Sequence, residues 1–241
     1  MKRLFLAVAV FLAAFTLKAQ ESKGLELSAG ADIVSKYVWR GANQGQGAAF
    51  QPTLGLSWKG LSLSAWGSTG FAGQEAYEFD ISLGYSVAGL SVALTDYYWD
   101  GQAGEYDDHE NCHHLEASAS YSFSIPLTLS AATMIGFNDP GLNPADPTLG
   151  TTDPTERNLS TYLSAGYDFA IGAASLTASI GVTPWGSALW GSGEDKFEVA
   201  DISLKGSKEL KITDRFSVPV FVQGILAPAT KSAHLVFGLS F

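Results

Sequence analysis

From residue 25 to its end the chain alternates apolar with small or polar residues, in runs of about ten. The clearest run sets Tyr77, Phe79, Ile81, Leu83, Tyr85 and Val87 against Glu78, Asp80, Ser82, Gly84 and Ser86. Leu115, Ala117, Ala119, Tyr121 and Phe123 alternate in the same way with Glu116, Ser118, Ser120 and Ser122. A period of two is a strand whose two faces meet different surroundings. Twelve runs can be placed, near 25–38, 50–58, 61–71, 76–87, 90–99, 113–124, 127–137, 157–169, 175–184, 196–207, 215–227 and 232–241.

The connections between runs are unequal. Lys59-Gly60, Ala88-Gly89, the region of Pro126, the region of Gly172, and Glu209 to Asp214 make five short turns. The alternate connections are mostly longer: 39–49, 100–112, 138–156 and 185–195, with shorter ones at 72–75 and 228–231. Tight turns on one side and long loops on the other are the pattern of a transmembrane antiparallel up-and-down β-barrel. An even strand number puts both termini on the turn side. In that arrangement the termini and turns are periplasmic, the long loops extracellular, and the barrel sits in the lipid of a Gram-negative cell's outer membrane.

Aromatic residues collect near the ends of the runs, as the interfacial girdles of a barrel require. Tyr37, Trp39, Phe50, Phe71, Tyr98, Trp99, Phe137, Trp185 and Phe197 fall on the loop side. Trp58, Tyr85, Phe123, Tyr167, Phe169, Phe216 and Phe241 fall on the turn side. A soluble sandwich or lipocalin-like barrel also alternates, and it is the competing fold. Two places resist the pattern: Asp96 lies on the apolar phase of its run, and the run from Arg215 is apolar on both phases. A β-bulge in either strand would restore the register.

The ends of the chain bear on the same question. Lys2 and Arg3 precede an apolar run, Leu4 to Leu17, too short to span a bilayer, and Ala19 offers a small residue for cleavage. Residues 1–19 therefore read as a signal peptide and 20–241 as the barrel. At the other end Leu235, Phe237, Leu239 and Phe241 alternate up to a terminal aromatic, which resembles the signal that outer-membrane barrels present to their assembly machinery.

Composition narrows the function. The chain carries 24 acidic against 14 basic residues, and cleavage near Ala19 removes three of the bases. Nucleic acid is therefore not expected as a partner. The single cysteine, Cys112, excludes an internal disulfide. No Gly-rich phosphate loop lies between a strand and a helix, and no cofactor is expected.

The segment Ser35-Lys36-Tyr37-Val38-Trp39-Arg40-Gly41, followed by Asn43-Gln44, resembles the TorF-like porin family. That family opens with a strand, a Ser-x-Tyr-x-aromatic-Arg-Gly segment, a second strand and a tight hairpin with Gly and Trp, here Leu56 to Trp66. Thr95 to Tyr98 and His114 to Ser118 are similar to its members but less distinctive. The resemblance implies an outer-membrane barrel that passes small solutes.

With the apolar phase outside, the other phase holds the pore-lining candidates Asp32, Lys36, Arg40, Glu78, Asp80, Glu116, Asp168, Asp201 and Lys205, together with Glu26. A base facing lipid at mid-barrel is penalised by roughly 2–4 kcal/mol, so these charges face water or one another. An open acidic lining favours cations; charges paired across the lumen plug it. Asp107 to His114 is the densest polar cluster, with His109 and His113 at a metal-site spacing, but no helix there aligns them and a solvated loop is the plainer reading. Ser118, Glu116 and His114 share one strand face at about 7 Å per two residues, too far apart for a triad. An enzyme is not expected. The two function classes are a passive channel and a barrel acting as receptor, adhesin or scaffold through loops 100–112 and 138–156.

Overall fold

The computed structural model describes residues 24–71, 77–99, 106, 112–137, 139, 158–214 and 216–241. Residues 1–19, expected as a signal peptide, most of loops 100–112 and 138–156, and His109 lie outside the described residues. Fourteen strands are present among them: β1 (Leu25–Val34), β2 (Val38–Trp39), β3 (Ala42–Asn43), β4 (Ala49–Trp58), β5 (Leu61–Gly70), β6 (Glu78–Val87), β7 (Leu90–Trp99), β8 (His113–Ser122), β9 (Leu127–Phe137), β10 (Thr161–Ile171), β11 (Ala174–Thr183), β12 (Glu198–Thr213), β13 (Phe216–Ala227) and β14 (Ser232–Ser240). Twelve of them close into an antiparallel barrel, each paired with its sequence neighbour and β14 returning to β1, while β2 and β3 form a separate hairpin.

Turn chemistry explains the tight side. Lys59-Gly60 and Ala88-Gly89 both take positive φ (48° and 88°; 49° and 86°), the mirror-image turn whose twist matches antiparallel strands. The seam is short: Asp32, Ile33 and Val34 pair with Ser240, Leu239 and Gly238, and Ala31 and Phe241 exchange backbone hydrogen bonds of 3.2 and 2.9 Å.

The barrel is inside-out relative to a soluble one. Leu27, Leu54, Leu63, Leu83, Leu204, Leu235 and Phe237 are exposed on its outside. Serines and threonines line the inside and bond across strands: Ser82–Thr95 at 2.8 Å, Ser130–Ser164 at 2.9 Å, Ser179–Ser203 at 2.8 Å. This rules out a soluble sandwich or lipocalin-like barrel, whose apolar face turns inward.

Four sequence expectations need correction. The first run ends at Val34, and Val38 belongs to the separate hairpin. Residues 209–213, expected in a turn, continue β12, because Leu210 and Ile212 keep the apolar alternation on the outer face. No bulge moves Asp96: β7 pairs without a break to both neighbours, Asp96 lying opposite Ile81 and Leu115, so its carboxylate stays on the outer face. The double apolarity of β13 is also real. Val222 and Leu226 are exposed outside, while Ile225 packs inside with Val34, Ala49 and Val236, against Tyr37, Val38 and Phe221. The inner phase is apolar there because the barrel has a filling to pack against.

Candidate functional site: a hairpin held inside the barrel

The filling is residues 35–48, with 35–38 expected to end the first strand and 39–48 to lie in an outer loop. Arg40 and Gly41, with φ of 49° and 80°, make the tight turn between β2 and β3. At Gly41 a Cβ would stand 2.8 Å from the Ala200 carbonyl oxygen and 3.0 Å from Ala227 Cβ, so the tip abuts β12 and β13 and only glycine fits. The adjacent side chain points to the other wall. Arg40 donates to both oxygens of Glu116 on β8, at 2.6 and 3.0 Å, with side-chain exposures of 12% and 3%.

Aromatic rings pack the guanidinium in place. Its Cζ lies 4.4 Å from the Trp39 ring, 4.7 Å from Tyr162 on β10 and 4.6 Å from Trp190, distances at which cation–π attraction is appreciable. Trp190 belongs to the connection between β11 and β12, is 1% exposed, and packs with Met134 and Ala200. Two segments from the loop side thus meet inside the loop-side end of the barrel. Tyr97 donates to Glu116 at 3.1 Å and Tyr162 to Asp201 at 2.6 Å, which ties the cage to the wall. At Gly181 a Cβ would stand 2.0 Å from the Tyr162 oxygen; the missing side chain makes room for that phenol.

A second acidic pair sits beside the cage. Glu78 and Asp80 are 7% exposed each on the inner phase of β6. Glu78 accepts from Trp99 Nε1 at 2.7 Å. Asp80 lies opposite Trp66 and Tyr97 on the flanking strands, and its Oδ1 has no hydrogen-bond partner among the described residues. Tyr37 packs on Trp66, ring centroids 5.5 Å apart. On the turn side of Tyr162 the wall is hydroxyl-lined, with a cavity of about 310 Å³ bordered by Ser91, Ser118, Ser120, Ser130 and Ser164.

The remaining sequence candidates scatter. Asp168 accepts from Thr177 at 2.6 Å, and Lys205 lies 4.0 Å from the centre of the Phe221 ring. Asp32 sits at the seam opposite Ser240 and Gln51. Lys36 is half-buried in the segment after β1. Of Ser118, Glu116 and His114, none hydrogen-bonds another, and Glu116 is taken by Arg40 and Tyr97.

His113 and His114 point to opposite faces. His114 stacks on Trp99, centroids 4.1 Å apart. His113 is buried on the outer face, its Nδ1 2.9 Å from both Asp96 oxygens and its Nε2 2.9 Å from the Tyr106 carbonyl. Tyr106 donates its hydroxyl to Asp96 at 3.0 Å; burial first, and that bond second, push its phenol up to about 12. No group of three metal-ligating side chains occurs among the described residues. Sequence reasoning missed a Ser232–His234 contact of 3.1 Å on β14. No carboxylate bonds to that histidine among the described residues, so the pair lacks the orienting group a nucleophile needs.

The loop-side aromatics therefore divide. Phe71, Trp185 and Phe197 are exposed as a girdle would be, but Trp39 and Trp99 pack inside with Tyr97. Tyr98 is buried on the outer face beneath Tyr106. Alternation could not separate an outward aromatic from one drawn into the lumen by a folded-in loop.

A family model described as "Putative MetA-pathway of phenol degradation" matches residues 7–145. No curated protein matches the sequence. Among solved structures, the KdgM porin superposes with a TM-score of 0.46 at 9% identity, covering 88% of this chain and 98% of that one. Pseudomonas aeruginosa OccK8 (OprE) gives 0.40 at 11% identity, covering 92% and 68%. A substituted Rh. blastica porin gives 0.37 at 11%, covering 90% and 99%.

Proposed function

The chain belongs to the family described as "Putative MetA-pathway of phenol degradation", and we propose that it is an outer-membrane barrel that passes small solutes through a constriction made by its own first loop. The outward belt of Leu, Ile, Val and aromatic side chains supports the membrane setting, because such a surface in water would be a large aggregation liability. Residues 1–19 act in this reading as the export signal, with the assembly machinery engaging the strand that ends at Phe241. Turns and termini face the periplasm and the long loops face outward. The TorF-like resemblance belongs to the same proposal, and the segment that carries it, Ser35 to Gly41, is the one folded into the barrel.

The observation that carries the reading is the bidentate Arg40–Glu116 pair, which holds the hairpin inside a lumen whose wall is hydroxyl-lined on the turn side of Tyr162. Asp32, Glu78, Asp80, Asp168 and Asp201 outnumber Lys36, Arg40 and Lys205 along the lining, and Arg40 is already spent on Glu116. The remaining field is acidic and prefers cations in dilute salt, where the Debye length is about 10 Å at 0.1 M or longer.

Planar-bilayer conductance of the purified protein tests this. The wild type should give a small conductance whose reversal potential in a salt gradient reports cations. Absence of conductance in both the wild type and Arg40→Ala would sink the channel and favour a receptor or scaffold.

A further inference from the structure

We propose that Asp80 and Glu78, walled by Trp66, Tyr37 and Tyr97, form a binding site in the constriction for the cationic head of an organic solute, an alkylammonium or guanidinium group. The inference rests on reading the lumen as a passage. It starts from an imbalance of charge. Asp80 is 7% exposed, its Oδ1 is without a hydrogen-bond partner, and no basic side chain pairs with it or with Glu78 among the described residues. The carboxylates of Glu78, Asp96 and Glu116 all act on Asp80 electrostatically. The nearby guanidinium of Arg40 is committed to Glu116. Burying a carboxylate without a partner is costly, and a cation bound beside Asp80 and Glu78 would relieve that cost.

The surroundings decide which cation fits. A divalent metal wants six or more oxygen ligands, and here one Glu78 oxygen is engaged by Trp99 and both Glu116 oxygens by Arg40. What the wall supplies instead is π surface. Trp66 and Tyr97 flank Asp80 across the strands, Tyr37 packs on Trp66 at 5.5 Å, and Trp39 on Tyr97 at 5.5 Å. Aromatic faces around a carboxylate are the chemistry that recognises alkylated ammonium and guanidinium groups, which shed their weak hydration readily. Tyr37 reaches this wall from the folded-in segment.

The test uses the full chain folded in detergent, with tetraethylammonium and methylguanidinium chloride as probes and sodium chloride at matched ionic strength as reference. Calorimetry and tryptophan fluorescence should show saturable binding of the probes that sodium does not reproduce. Asp80→Asn should weaken it at least tenfold, Trp66→Leu should weaken tetraethylammonium, and the exposed-turn variant Asp214→Asn should change nothing. Equal binding by Asp80→Asn, or no saturable binding by the wild type, overturns the site. The wild-type titration alone decides if Asp80→Asn does not fold. A protein that conducts without binding loses the site and keeps the channel; one that binds without conducting keeps the site and loses the channel.

Discussion

Arg40 and Glu116 are 76 residues apart in sequence, yet both terminal guanidinium nitrogens of the one lie within 3.0 Å of the carboxylate of the other. The pair joins a hairpin to the wall it crosses. Removing one partner of a buried ion pair typically costs about 3–5 kcal/mol, because the other charge is left unpaired. Arg40→Ala and Glu116→Gln should each release the hairpin and raise single-channel conductance, and the double variant should add little to either. Additive effects in that cycle would show that the two side chains do not act as a unit.

Tyr162 depends on the absence of a side chain at Gly181. Gly181→Ala should push the phenol off Asp201 and loosen the rings around Arg40, with a loss of stability of about 1–3 kcal/mol, as overpacking usually gives. Denaturant unfolding of the folded barrel measures it. An unchanged midpoint would mean that Tyr162 moves freely and does not brace the cage.

The terminal residue does two separable things. Its backbone exchanges hydrogen bonds with Ala31 across the seam, and its ring lies on the apolar outside. Deleting Phe241 removes both, whereas Phe241→Asp removes only the ring. Deletion should lower the heat-modifiable folded fraction in outer membranes more than Phe241→Asp does. Equal, undiminished levels in both variants would make the residue incidental to assembly.

On the outer face, Asp96 and His113 satisfy each other under Tyr106. Asp96→Leu alone strands a buried imidazole and should destabilise the barrel, while Asp96→Leu with His113→Leu should recover much of the loss, since apolar pairs often replace buried ion pairs at little cost. Thermal unfolding of the three proteins checks this. A double variant no better than the single would assign the cost to something other than the stranded ring.

The wall was legible in the sequence because its physics is local. A period of two says which residues share a face, and Lys59-Gly60 and Ala88-Gly89 announce their turns by what their φ angles require. The run of Tyr77 to Val87 and the final Leu235 to Phe241 therefore identified strands and their outward faces without knowledge of their neighbours. The inner phase was legible in the same way, which is why Glu78, Asp80 and Glu116 could be grouped on one surface. Periodicity is silent about everything without a period. Residues 39–49 read as an outer loop; the phase marks Lys36 and Arg40 as lumen candidates, but nothing in Trp39-Arg40-Gly41 says that the segment folds back as a hairpin onto Ala200, Ala227 and Glu116, on strands far along the chain. The same limit hid the meeting of Trp190 with Trp39 and the rescue of Asp96 by His113. Sequence alone determined a closed wall with an apolar outside and a polar inside. What fills that wall, and which of its charges are spent on one another, only the tertiary structure decided, because those contacts join residues whose spacing carries no repeat.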